Sequence, residues 1–481
     1  MSTFTPKAAS ALAGPAWLVE RRAGAAERVQ AATLPASTEE IWRYSRIEEL
    51  DLDRFTLAQF ELDAELGNLG QHPMPGEKLH VGHLISQARV PASVLRLLEA
   101  FSRRSALVVT LGGRVISYEI DPDLRANLRG PLVSTLAQRD ASDHSSSELA
   151  REVLGLAEGP AADFFVELND AFLPDAILID IPAKIALEDP IVIVHLSMGP
   201  WQASFPRSVV RVGPLGQANV VEIFASSEEP GLLVPVTELN VDEDANLSYL
   251  GVQELGSSTW QLGYQVSRVG RDGRLDSTTA AFGGDYARLR TDSSLLGRAA
   301  HSELLAAYFA HGSQVHDFRT LQRHDAARST SNLLFKGCVA GEARSVYSGL
   351  IRIEHGATKS DAFQTNRNLV LSEGAHADSV PNLDIKENDV RCSHASAVGP
   401  VDEDQRYYLE SRGIPTGAAE RLIVLGFFEE VLEHVHIAGA RQVLRDEVAA
   451  KADIAGLLGG GDESGGTEAT GEPTGAGGDQ S

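Results

Sequence analysis

The chain has 481 residues, enough for more than one domain around a sizeable apolar core, and its 42 Lys plus Arg against 67 Asp plus Glu give a net charge of −25. That balance argues against a phosphate-backbone partner, so nucleic acid is not expected as a ligand. Two cysteines, Cys338 and Cys392, fit free thiols in a reducing compartment, and no run of about 18 apolar residues is available to span a membrane.

From the start to about residue 160 helical periodicity prevails, as in AWLVERRAGAAERVQAA and in VPASVLRLLEAFSRR, where Pro91 and Ser93 stand near the helix start. The opening thirty residues lack a continuous apolar stretch and carry Glu20 and Glu27, so neither a signal nor a transit peptide is expected and the chain is assigned to the cytoplasm. SALVVTLGGRVISYEI reads as a strand pair turning at Gly112-Gly113. RDASDHSSS, residues 139–147, reads as an exposed polar loop.

From DAILIDIPAKIALEDPIVIVHL onward the texture becomes β, with dense Ile, Val and Leu alternation. A beat of turn residues follows, among them Asp272-Gly273, Gly283-Gly284, Gly312, Gly341, Gly356 and Asn388, each flanked by a short strand. Short strands at regular spacing fit a sandwich or a solenoid; the recurring small-residue corner and the absence of Asn-Gly hairpin turns favour the solenoid, a parallel β-helix.

After Gly399-Pro400 the helical period returns. Asp402 followed by Gln405 predicts a capped helix start, and Gly413 its stop. Thr416 is expected to cap GAAERLIVLGFFEEVLEHV, and a last helix is expected to run from GARQVLRDEV to about residue 458. The divisions are 1–160 (mainly helical), 161–400 (β core), 401–458 (helical) and 459–481, a Gly-rich acidic tail too poor in apolar residues to order.

No GxxxxGK[ST], HExxH, CxxC or GxSxG pattern is present. Cys338 reads as a buried corner residue, with a Lys336-activated nucleophile as the alternative. Seven of the 14 histidines fall between 301 and 394 (His301, His311, His316, His324, His355, His376 and His394), so stacked rungs could align several in a ladder. Cys392 and His394 share a face if their stretch is a strand, about 7 Å apart, which suits two metal ligands and equally two neighbours in a packed wall. In the 417–435 helix, Ile423, Phe427 and Val431 form one row and Val424, Phe428 and Leu432 another. Apolar surface on both sides fits a helix sandwiched between the solenoid end and its neighbour, or one whose outer face receives another protein.

The stretch PNLDIKENDVRCSHASAVGPVDEDQRYYLESRGIPTGAAERLIVLGFFEEVLE resembles the C-terminal signature of the SufB/SufD family of iron–sulfur cluster assembly proteins. FRTLQRHDAARSTSNLLFKGCVAGEARSVYSGLIRIEHGATKSDAFQTNRNLVLS is similar to the family's core, and WLVERRAGAAE with EEIWRYSRI to its N-terminal region. The resemblance implies a mixed β and α protein: a right-handed parallel β-helix flanked by N-terminal and C-terminal helical domains. It also implies a SufB-like paralogue as heterodimer partner, a SufC-like ABC ATPase on the C-terminal helices, and a transient iron–sulfur cluster at the junction, with no tightly bound cofactor in the isolated chain and no enzymatic activity of its own. The junction role carries over to His394, with Cys392 as a weaker neighbour; Tyr407, Tyr408, Arg412, Phe427 and Phe428 are the partner-binding candidates. SEGAHADSVP lacks the cysteine that SufB places before its VP step, and CSHASAVG replaces a second SufB motif, so the resemblance leans to the SufD side; Ala395 stands where the family has Gly. The rival readings are a β-helix enzyme acting on polysaccharide, opposed by the lack of a leader and of clustered carboxylates, and a SufB-like scaffold acting alone.

Overall fold

Alternation with a period of two places every second side chain inside, and turn residues let the chain change direction after each short strand. The structure, a computed structural model, describes residues 2–58, 92–127, 132–141, 154–155 and 163–456. Most of the 139–147 loop, Pro91 and the 459–481 tail lie outside the described residues.

Apart from the short strands Gln202–Ser204 and Gly231–Leu233, both in the first sheet, strands from Ile177 to Gly399 are dealt alternately into two sheets, and within each sheet neighbours run parallel. The result is a parallel β-solenoid of eight two-strand rungs, from Ile177–Ile181 with Ile191–Ser197 to His376–Ile385 with Arg391–Gly399. The Gly112-Gly113 turn joins Ala106–Leu111 to Arg114–Ile120 as an antiparallel hairpin, and its first strand pairs with Ile191–Ser197, extending the second sheet at the start of the coil.

Register makes the interior a set of columns. Val220, Tyr249, Ser277, Leu304, Leu333, Gln364 and His394 follow one another rung by rung. Beside them Tyr308 sits above Gly337, where an added Cβ would lie 1.9 Å from the ring, so only glycine accommodates that tyrosine. Among the described residues no histidine ladder forms: His301 stands between Arg274 and Thr330, His316 between Ala287 and Ser345, and His324 between Leu295 and Ile353.

Helices cover the outer walls. Val424, Phe428, Val431, Leu444 and Val448 from Thr416–Leu432 and Ala440–Ile454 pack on Leu305, Ala307, Phe309, Leu334 and Cys338. The Thr416–Leu432 helix therefore lies against the side of the coil, not its end, and Cys338, the last residue but one of Thr330–Val339, is buried under that cover. Asp402 caps Glu403–Glu410 through the Gln405 N–H at 3.0 Å, whereas Thr416 is itself the first helical residue after Pro415 and turns its hydroxyl to Glu410. The EEIWRYSRI stretch forms short 3-10 turns, with Trp42 buried beside Phe165. Among the described residues no helix is long and apolar enough to cross a membrane.

Candidate functional site

Among the described residues, nothing continues or covers the sheets beyond the last rung. Arg391–Gly399 pairs only with Asp361–Val370, and His376–Ile385 only with Arg344–Ile353, so both terminal strands present a free backbone edge among the described residues. Such an edge offers a row of N–H and C=O groups to another strand. Ile385 and Val398 stand exposed along it, at 43% and 44%.

Inward positions of the terminal strand are those stacked on Ala362, Gln364, Asn366 and Asn368, namely Cys392, His394, Ser396 and Val398. Ser396 confirms the direction by donating to Ser379 of the opposite sheet at 2.8 Å. His394 thus points along the lumen face yet is exposed, because among the described residues no further rung lies over it. Cys392 is half-buried against Ile351, Ile353 and Ala362. Burial, followed by the nearby Asp361 carboxylate, pushes its thiol up to about 11. At neutral pH Cys392 is therefore a protonated wall residue, while His394 offers an accessible imidazole. Cys338 is wholly enclosed and its thiol is driven well above the ordinary range by burial, with Lys336 opposing; the nucleophile alternative has no access to substrate.

Beneath the rim the lumen turns polar, with Tyr308, Tyr347, Gln364, Asn366 and Asn368 each hydrogen-bonded. Tyr308 donates to Asn368 at 2.7 Å, Asn366 donates to the Tyr308 oxygen at 3.1 Å, and Tyr347 donates to Gln364 at 3.3 Å. This amide layer closes the apolar interior under the last rung, its own side chains finding partners within it. Sequence reading singled out Cys392 and His394 but missed Ser379, Ser396, Ile385 and Val398 as co-lining residues; the signal available was the alternation within each terminal strand, which needs the rung register to be used.

The partner-binding candidates divide. Tyr407 and Tyr408 are 72% and 57% exposed on a helix, Glu403–Glu410, that buries none of its side chains, and the Arg412 guanidinium lies 5.1 Å from the Tyr408 ring centre. Phe427 is half-covered by Lys336, whose ammonium is 4.4 Å from the ring centre and also meets Glu430. Phe428 is completely buried against the coil, so it is a core residue and cannot face a partner.

Residues 195–427 match the family model described as SUF system FeS cluster assembly, SufBD core domain. An iron–sulfur cluster assembly SufBD family protein of Mycobacterium tuberculosis is 33% identical over 302 residues, which cover 61% of this chain and 74% of that protein. This chain belongs to the SufBD family. Two relatives named iron–sulfur cluster assembly protein SufD are also similar to this SufBD chain. That of Bacillus subtilis is 29% identical over 58% of this chain and 64% of its own length, and that of Escherichia coli 26% identical over 64% and 74%. The matched region of the SufBD core runs from the second strand of the first rung through the terminal rung and into the Thr416–Leu432 helix, so the open rim lies inside it.

Proposed function

We propose that the chain is a SufD-type, non-catalytic subunit of a SufBCD-type iron–sulfur assembly complex in the cytoplasm. The observation that carries this reading is the uncovered last rung, with two free strand edges and an accessible His394 on its lumen face. A cysteine-bearing paralogue with a matching rung continues the sheets by edge-to-edge pairing, which buries Ile385 and Val398 and brings its thiolate to His394. Neutral imidazole beside thiolate is a suitable ligand pair for iron, and the nascent cluster is cargo at that junction rather than a resident group.

An ABC-type ATPase docks on the exposed Glu403–Glu410 helix through Tyr407 and Tyr408. Its ATP-driven movement reaches the rim because that helix follows the terminal strand directly, after Gly399. The test is co-expression of the chain with a cysteine-bearing paralogue and an ABC-type ATPase, affinity capture, and cluster reconstitution on the captured complex with native His394 or with His394→Ala. A stable three-component complex that loses assembly in the variant is the expected result. A chain that captures neither partner, or that assembles clusters alone, defeats the reading.

A further inference from the structure

We infer that the outer wall of the coil carries a separate site for one divalent transition-metal cation, built from Asp276, His301, Glu303 and His434. Asp276 lies on Arg274–Ala281 and the next two residues on His301–Ala310, its neighbour in the second sheet. Register places Asp276 directly opposite Glu303, and His301, two residues before Glu303, shares its face. One ligand atom from each of the three lies within 4.8 Å of the others. His434, just past the end of the Thr416–Leu432 helix, comes down onto the same spot, with Nδ1 2.9 Å from Glu303 Oε1. Two carboxylates and two imidazoles from the wall and the covering segment make a mixed nitrogen and oxygen set of the kind that holds zinc or ferrous iron.

A second observation points to a missing partner. Asp276 Oδ1 is enclosed by protein with no hydrogen-bond donor, while Oδ2 accepts from Arg274 Nε at 2.8 Å. The Asp276 and Glu303 side chains are only 12% and 8% exposed. Arg274, 3.7 Å from Glu303, offsets one of these two charges, so the pair retains net negative charge in a poorly hydrated place. A cation between them supplies what Oδ1 lacks. His301 is held in place as a ligand: its Nδ1 lies 2.7 Å from Thr330 Oγ1, which fixes the ring. Bound there, the ion ties the segment after the Thr416–Leu432 helix to the coil. The site is remote in register from the open rim, three rungs back along the same sheet, and does not depend on the proposed function.

The test uses the full chain stripped with a chelator and titrated with zinc, with cobalt as an absorption reporter of the ligand set. One equivalent is expected to bind and to raise the thermal midpoint. Asp276→Asn, nearly isosteric and so compatible with the fold, and His434→Ala, at a partly exposed ring, should each weaken binding about tenfold or more, and Thr330→Val about tenfold. His394→Ala and Cys392→Ser should leave it unchanged. No binding by the parent chain, equal affinity in Asp276→Asn and His434→Ala, or loss of binding in the two rim variants would each overturn the inference.

Discussion

Gln364 and His394 are register partners on the last two strands of the second sheet, yet the first is enclosed and the second open to solvent. The same column position thus serves as lining in one rung and as an accessible donor in the next, and the difference is that no rung covers the second among the described residues.

His394→Ala is accordingly predicted to leave stability within about 0.5 kcal/mol of the parent, since an exposed side chain is removed, while abolishing cluster assembly in the complex. Cys392→Ser is predicted to keep assembly, because the thiol sits in the wall with its pKa pushed up to about 11. Thermal midpoints and reconstitution of both variants side by side check this; a Cys392→Ser chain that fails while His394→Ala succeeds would reverse the roles.

Gly337→Ala is predicted to destabilise the coil by about 1–3 kcal/mol or more, by forcing the Tyr308 ring away from its place above the glycine. That ring also donates to Asn368, so the polar layer under the rim should loosen with it. Urea unfolding of the variant measures the cost, and an unchanged midpoint would show that the column can shift freely.

His316 and His324 are both held down to about 4, chiefly by burial. Their folded values lie below the ordinary 6.5, so between pH 6.5 and 4 the unfolded chain binds protons that the folded chain refuses, and stability falls as pH falls. The loss is on the order of 3 kcal/mol for each histidine by pH 4. Replacing His324 with Gln should flatten part of that slope in denaturant midpoints recorded across the window; an identical slope would count against it.

Glu254 behaves oppositely. Burial lifts its carboxyl to about 7, Lys451 opposing and Glu447 adding to the rise, and its Oε1 has no hydrogen-bond donor. A folded value above the ordinary 4.5 means that the folded chain holds the extra proton, so stability is lost as pH rises from 4.5 to 7, by on the order of 3 kcal/mol. Glu254→Gln should therefore be more stable than the parent at pH 8 and little different near pH 4.5, as read by thermal unfolding at the two values.

The solenoid, the Gly112-Gly113 hairpin and the Asp402 cap were legible because each rests on a local device: alternation with a period of two, a residue that tolerates positive φ (Gly113 at 87°), or a side chain that meets the N–H three residues on. Local pattern also drew attention to Cys392 and His394 as a pair on one face. It could not separate them, since the half-buried state of Cys392 comes from Ile351, Ile353 and Ala362 on earlier strands and the exposure of His394 from the lack of a further rung over it among the described residues. Nor could two apolar rows on the Thr416–Leu432 helix say that Phe428 faces the coil while Phe427 lies under Lys336.

What the sequence alone determined, then, is the kind of element each stretch forms and the fact that the strands repeat, because propensity, alternation and turn chemistry act within a few residues of the chain. Tertiary structure decided which residues share a column and which rung is last: Gln364 under His394, Asp276 beside Glu303, and His434 brought onto Glu303 from just past a helix more than a hundred residues further on. In a parallel coil, contacts join residues a full turn apart, and the register is fixed by the summed length of the corners and by how the interior packs, so no short window of sequence contains it.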